Sequence, residues 1–362
     1  MSEAVLLAGT RKGLFIGRSD AARASWSWDR PAFPMEEIYA VAVDQRGDVP
    51  RLLVGATHVH FGPQVYRSDD LGRTWSESHS GTVRFPEDLG ASVERIWQLQ
   101  PSPADGGVVW AGTQPSALFR SGDGGETFEL VRSLWDHPHR PEWGEGFGGQ
   151  AIHTIVPHPT DPDVVTVAMS TGGVYRSADG GDTWTPHNRG ITTEFLPGEA
   201  PEFGQCVHKV AVDAGDPDRL YAQNHGGVFR SDDAGRSWRS ISDGLPADFG
   251  FPVVAHPRVP GTLYVYPLVG GDERFPPDGR PMVWRSTDAG ETWEEAGTGL
   301  PEEAWTVVLR DGFSADRGEP VGLYVGTRHG AIWASNDEGA SWAEIRSNLP
   351  DVLCVRAMVT VR

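Results

Sequence analysis

The sequence predicts an all-β chain folded as a seven-bladed β-propeller of four-stranded antiparallel blades. One ten-residue phrase is written six times, and a worn copy makes a seventh. The closing aromatic of each copy falls at positions 26, 75, 128, 184, 238, 293 and 342, so the intervals are 49, 53, 56, 54, 55 and 49 residues. Short β-prone runs and turn residues lie between the copies, with no long amphipathic helical stretch. A period near fifty residues with strand-like flanks marks a propeller, one copy to a blade.

The phrase reads aromatic-x-Ser-x-Asp-x-Gly-x-Thr/Ser-Trp/Phe. Its full copies are Tyr66 to Trp75, Phe119 to Phe128, Tyr175 to Trp184, Phe229 to Trp238, Trp284 to Trp293 and Trp333 to Trp342. The worn copy keeps Ser19, Ser25 and Trp26, with Ala21 at the Asp position and Arg23 at the Gly position. Each residue has a folding reason. The aromatic-x-Ser ends one strand and Thr-Trp begins the next. The Asp accepts hydrogen bonds from backbone N–H groups of its own turn. The Gly takes a conformation that a Cβ opposes, and the closing aromatic covers the hairpin. The repeated aspartates therefore read as structural rather than catalytic.

Each repeat holds four strands, A to D from the inside outward. In blade two they are Ile38 to Val43, Arg51 to Ala56, Gln64 to Ser68 and Thr74 to Ser78. The chain enters at strand B of blade one, Ala4 to Thr10, followed by Gly13 to Arg18 and Ser25 to Asp29. Its strand A is expected from Val352 to Val359, so the two ends of the chain close the ring and leave no open edge. One propeller domain is expected over 1–362.

The net charge of −19 excludes nucleic acid and anionic membranes as expected partners. The N-terminus has neither a basic start nor a long apolar core and reads directly as a strand. No apolar run is long enough to cross a bilayer. Cys206 and Cys354 fall in different blades and suggest no disulfide framework. The expected location is the cytoplasm.

The repeated phrase resembles the Asp-box, or BNR repeat, of sialidases, sortilin-type receptors and xyloglucanase-type glycosidases, and the resemblance runs from residue 19 to residue 342. It implies the propeller fold. It also implies a ligand site on the face opposite the Asp-boxes, where the D–A and B–C loops and the beginnings of the A strands lie. The activities of such proteins range from hydrolase to receptor. The Arg-Ile-Pro phrase of sialidases is absent, the nearest match being Phe15-Ile16-Gly17-Arg18. Arg11, Arg95, Arg328 and Arg356 are the arginines available to a sialidase-like triad, with no motif selecting among them.

The A strands carry a fainter repeat. Gln150-Ala151-Ile152-His153 matches Gln205-Cys206-Val207-His208. Looser equivalents pair Glu36 with Tyr39, Glu94 with Trp97, Asp248 with Phe251, Glu302 with Trp305, and Asp351 with Cys354. The bland reading is one solvent-facing residue and one packed between blades. The sharper reading takes His153, His208 and Gln150, with His58, His60 and His225 from the loops, as candidate ligands for a divalent metal of unspecified identity. Seven-bladed polysaccharide lyases with histidines and a glutamine at the channel mouth are similar in residue type. His139 and His329 lie in loops of the same face, and His158 and His256 stand in His-Pro pairs that read as structural.

Two inserts concentrate functional residue types. Leu134 to Gly149 brings Trp135, His137, His139, Trp143, Glu145 and Phe147 together, and Thr192 to Gly204 adds Glu194, Glu199 and Glu202. A third, Gly270 to Arg280, carries Asp272, Glu273 and Arg274. The candidate acid–base groups are Glu94, Glu145, Glu202 and His137, with Glu302 in reserve. The candidate ligand-binding groups are Trp97, Trp143, Arg95 and Arg328. The expectation is a small-molecule or glycan site, hydrolytic or lyase-like and metal-dependent in one form. A noncatalytic binding platform stands beside it.

Overall fold

The computed structural model describes residues 3–77, 83–146, 149–192 and 201–360, so Phe147, Glu194 and Glu199 lie outside the described residues. The chain is a seven-bladed β-propeller of four-stranded antiparallel sheets. The inner strand of blade one is Val352–Thr360, paired with Glu3–Thr10, then Gly13–Asp20 and Ser27–Trp28. Glu3 lies opposite Thr360, whose Oγ1 accepts from the Glu3 N–H at 3.2 Å and donates to its carbonyl at 3.1 Å. The C-terminal strand closes the ring, as the sequence predicts.

Blades two, three and four begin with inner strands Glu36–Asp44, Arg95–Pro101 and Ile152–Pro157. Blades five, six and seven begin with Val207–Val212, Phe249–Ala255 and Phe313–Ala315. By contact density, blades two to four form one compact unit, while blades one, five, six and seven form another. The first unit has a core built around Leu53, Ile96, Val109 and Phe119. In the second, Tyr264, Phe313, Val325 and Trp342 form a comparable core. No helix among the described residues is long and apolar enough to cross a membrane.

The repeated phrase folds into one hydrogen-bonded turn in all six full copies. In blade two the Ser68 hydroxyl donates to Asp70 Oδ1 at 2.7 Å and accepts the Gly72 N–H at 2.8 Å. Asp70 Oδ1 also takes the Thr74 N–H at 2.9 Å, and Oδ2 takes the Thr74 hydroxyl at 2.6 Å. The same bonds recur around Asp123, Asp179, Asp233, Asp288 and Asp337. The glycine is needed, since φ is +84° at Gly72 and +93° at Gly339.

The closing aromatic does more than cover its own hairpin. Trp342 of blade seven packs with Tyr264 and Val283 of blade six and donates its indole N–H to Ala296 O at 2.6 Å. Trp293 of blade six donates to Ile241 O of blade five at 2.8 Å. Each of these aromatics therefore staples its blade to the preceding one, burying large area where neighbouring sheets meet. The outer strands start just after it, as at Ser76–Glu77, rather than at Thr74.

Blade seven departs from expectation. Glu302 and Trp305 do not open its inner strand, which begins at Phe313. The intervening segment, rich in β-formers, bonds to loops instead: Ala304 N–H donates to Gly279 O at 2.8 Å, and Arg328 N–H to Val307 O at 3.0 Å. Tertiary partners override the local β-preference there.

Candidate functional site

Three groups of residues carry chemistry. The first stands where the inner strands of blades two and three begin. The strand register slips by one residue at Tyr39, between Ile38 and Ala40, and again at Trp97, between Ile96 and Gln98. A bulge of this kind re-aims a side chain beside a ladder that otherwise alternates. His153 occupies the same slip in blade four. The faint repeat of rings along the A strands is thus a recurring β-bulge in these three blades.

Tyr39 and Trp97 stand with ring centroids 4.8 Å apart and are both half-buried. The Arg95 guanidinium lies 4.4 Å from the Tyr39 centroid and 5.5 Å from that of Trp97. Gln114 joins the group: its Oε1 accepts from Arg95 at 3.0 Å and from the Trp97 indole N–H at 3.2 Å, and its Nε2 donates to Glu94 at 2.8 Å. Glu37 pairs with Arg95 at 3.5 Å. The structure therefore brings Glu94, Arg95 and Trp97 together and adds Tyr39, Gln114 and Glu37, which the sequence reading did not select. Gln114 is legible only through its register opposite Arg95.

The insert of blades three and four is packed rather than open. Trp143 is buried, donates its indole N–H to the Tyr175 hydroxyl at 3.0 Å, and leaves no exposed ring face for a ligand. His139 Nδ1 lies 3.0 Å from the same hydroxyl, and its ring stacks on Phe203 at 4.0 Å. His137 packs edge-on against Tyr175, and its pKa is lowered by burial and by the neighbouring His139. Gln150 Nε2 donates to Trp143 O at 2.7 Å. Glu145 and Glu202 are exposed side chains. His137, Trp143 and Gln150 are committed to holding the insert.

The remaining histidine candidates separate. His58 Nδ1 accepts the N–H groups of His60 and Phe61 at 3.0 and 3.3 Å, so that nitrogen is used by its own turn. His153 is buried, with Nδ1 3.5 Å from Thr154 Oγ1. His208 and His225 do meet, with ring centroids 5.8 Å apart beside Phe249. Cys206, two residues before His208, completes a trio whose ligand atoms lie within 4.8 Å of one another. Burial and the charge of Arg310 hold the His208 pKa well below its ordinary value, which keeps the ring neutral, as a ligand must be. His208 Nδ1 sits 2.5 Å from Gly250 O, so Nδ1–H donates and Nε2 is the free lone pair.

Directly after His208, Lys209 reaches Asp311 at 2.7 Å, and Arg356 pairs with the same carboxylate. Burial opposes the charge on Asp311, but the two cations outweigh it and pull its pKa down to about 2. Arg328 and Arg11 both pair with Asp351, at 2.7 and 3.5 Å. The arginines are thus held by carboxylates.

No family model matches the sequence. The chain is 26% identical to a xyloglucanase of Hypocrea jecorina over 296 residues, covering 71% of this chain and 32% of that protein. It is 27% identical to the xyloglucanase Xgh74A of Acetivibrio thermocellus over 167 residues, covering 41% of this chain and 18% of that one. The chain spans about a third or less of these curated relatives. Among solved structures, the GH74 enzyme of Niastella koreensis matches with TM-score 0.61 at 18% identity, over 93% of this chain and 54% of that one. YCF48 of Cyanidioschyzon merolae matches with TM-score 0.52 at 13% identity, over 86% and 85%. These structural likenesses show the fold.

Proposed function

We propose that this chain is an Asp-box propeller that binds a glycan on the surface made by Tyr39, Trp97, Arg95, Gln114 and Glu94. The observation that carries the reading is the pair of half-buried rings ringed by planar polar groups. Sugars present an apolar face to aromatic rings and hydroxyls to carboxylate, amide and guanidinium groups, and this surface offers both. The similarity to xyloglucanases supports a β-glucan backbone as the first ligand to try. Hydrolysis is assigned to Glu94, the carboxylate at this surface that is not paired with Arg95, with Glu37 the second carboxyl. Glu145 and Glu202, exposed on the inserts, would act only on a chain reaching past the surface.

The test is calorimetric titration of purified protein with xyloglucan oligosaccharides, alongside an assay for new reducing ends. Binding lost in Trp97→Ala, and reducing-end release lost in Glu94→Gln with binding kept, is the expected pair of results. No binding to xyloglucan or cellulose oligosaccharides overturns the reading, and binding without release reduces it to a noncatalytic platform.

A metal reading is favoured separately by Cys206, His208 and His225. One thiolate and two neutral imidazoles suit zinc or a similar borderline metal. Elemental analysis of protein made without a polyhistidine tag, with His208→Ala/His225→Ala as control, decides it. Near-stoichiometric metal lost in the folded variant supports the site. Parent protein that stays metal-free after zinc is added back and excess removed rejects it.

A further inference from the structure

A cavity of about 280 Å³ opens in blades six and seven, lined by none of the residues of the proposed glycan surface. Its volume matches roughly nine waters at ~30 Å³ each. The walls include Tyr266, Trp305, Thr306, Trp333 and Glu344. Among the described residues no lysine or arginine lines it, and its basic side chain is His329, whose Nδ1 lies 2.7 Å from Thr306 Oγ1.

Tyr266 lines the cavity and is 1% exposed, yet its hydroxyl has no hydrogen-bond partner among the described residues. A buried hydroxyl without a partner is costly, so native structures rarely leave one without a reason. Burial raises its pKa, so it remains a neutral hydroxyl able to donate and accept.

At the mouth, Trp305 is 50% exposed yet fixed in place. Its indole N–H donates to Glu303 Oε1 at 2.7 Å, and Phe275 meets it edge-on at 5.8 Å. Gly279 lies against its face, where φ is +68° and a Cβ would come within 2.6 Å of the ring. The insert of blade six thus holds a large apolar ring in solvent. Glu344 stands directly across the strand pair from Trp333, with its carboxylate exposed.

We infer that this cavity binds a small organic cation bearing a hydroxyl, such as an amino alcohol or its quaternary ammonium form. Aromatic faces attract a cation through their quadrupole. Glu344 supplies the opposite charge at the rim, and the ligand hydroxyl supplies the partner that Tyr266 lacks. The net charge of −19 favours cations over anions at every approach.

The test uses choline and its uncharged isostere 3,3-dimethyl-1-butanol, titrated calorimetrically into the full chain. Choline is expected to bind about tenfold tighter than the isostere, the range of a desolvated cation–π contact. Trp305→Ala and Glu344→Gln should each weaken choline several-fold. Tyr266→Phe should weaken choline but leave tetramethylammonium unchanged, because only choline carries the hydroxyl. Equal binding of choline and the isostere would recast the cavity as a neutral apolar pocket and overturn the proposal, as would no binding of choline to the folded parent. All three substitutions spare the fold, since Trp305 and Glu344 are exposed and the Tyr266 hydroxyl bonds to nothing among the described residues.

Discussion

At the scale of single residues, the worn copy of the repeated turn is the most telling. Arg23 stands where six copies have glycine and keeps the positive φ of that position, +57°. Its side chain is buried and pairs with Asp316 at 2.8 Å, while also donating to Pro320 O at 2.7 Å. Asp316 in turn accepts the Tyr324 hydroxyl at 2.8 Å and the N–H groups of Gly318 and Gly322, both at 2.8 Å. The lost consensus residue has been exchanged for an anchor between blades one and seven. Arg23→Gly would relax the backbone but strand a buried carboxylate. It should cost about 3 kcal/mol in urea unfolding, as removal of one member of a buried pair does. An unchanged midpoint would show that the anchor contributes nothing. The opposite sign is expected at Tyr266, where Phe removes a buried hydroxyl that has no partner among the described residues and should stabilise the unliganded protein by about 1 kcal/mol. The sequence showed that the first copy was worn, since Ala21 and Arg23 break the pattern in plain view. It could not show Asp316, which lies 293 residues away.

Among elements, the inner strands separate what the sequence makes legible from what it hides. The six full turns were legible because one backbone conformation demands the same Ser, Asp and Gly each time. Tyr39, Trp97 and His153 were legible as a faint repeat because a bulge recurs at the same place in three strands. The inner strand of blade seven was not, because Val307-Val308-Leu309 looks more strand-like than Phe313–Ala315, and only pairing with Leu323–Gly326 chooses between them. Lys209, Asp311 and Arg356 were hidden for a related reason, since partners 102 and 45 residues apart leave no local pattern. The strand Val352–Thr360 pairs with Glu3–Thr10 along its whole length and carries Arg356 into that cluster. Deleting it would expose both the edge of Glu3–Thr10 and the charge of Asp311. The expected outcome is loss of the cooperative thermal transition and recovery of the chain only as aggregate. A deletion variant that stays soluble and melts cooperatively would show that blade one stands on three strands.

For the whole molecule, the protonation states predict how stability falls with acid. His208 is buried with its pKa lowered by burial and by Arg310, and His137 is lowered by burial and by His139. Both bind protons more readily unfolded than folded. Their contribution is complete above about pH 6.5 and declines as pH falls through their folded values. The turn carboxylates act in a lower window. Hydrogen bonds from the hydroxyl and backbone N–H of Thr74 pull Asp70 down to about 2, and those of Thr183 do the same for Asp179. Their contribution is complete above about pH 4 and declines as pH drops toward 2. Chemical denaturation at a series of pH values should therefore show two declines, one below pH 6.5 with the slope of a few protons and a second below pH 4. His208→Gln should flatten the first and leave the second intact. Asp179→Asn should lower stability at pH 7 and flatten the second. The order of the two declines follows from the unfolded values of the groups, about 6.5 for histidine and about 4 for aspartate. Burial lowers His208 and His137 in the folded chain, and hydrogen bonds lower Asp70 and Asp179. A single decline below pH 4, unchanged in His208→Gln, would mean that His208 takes up its proton in the folded protein without cost.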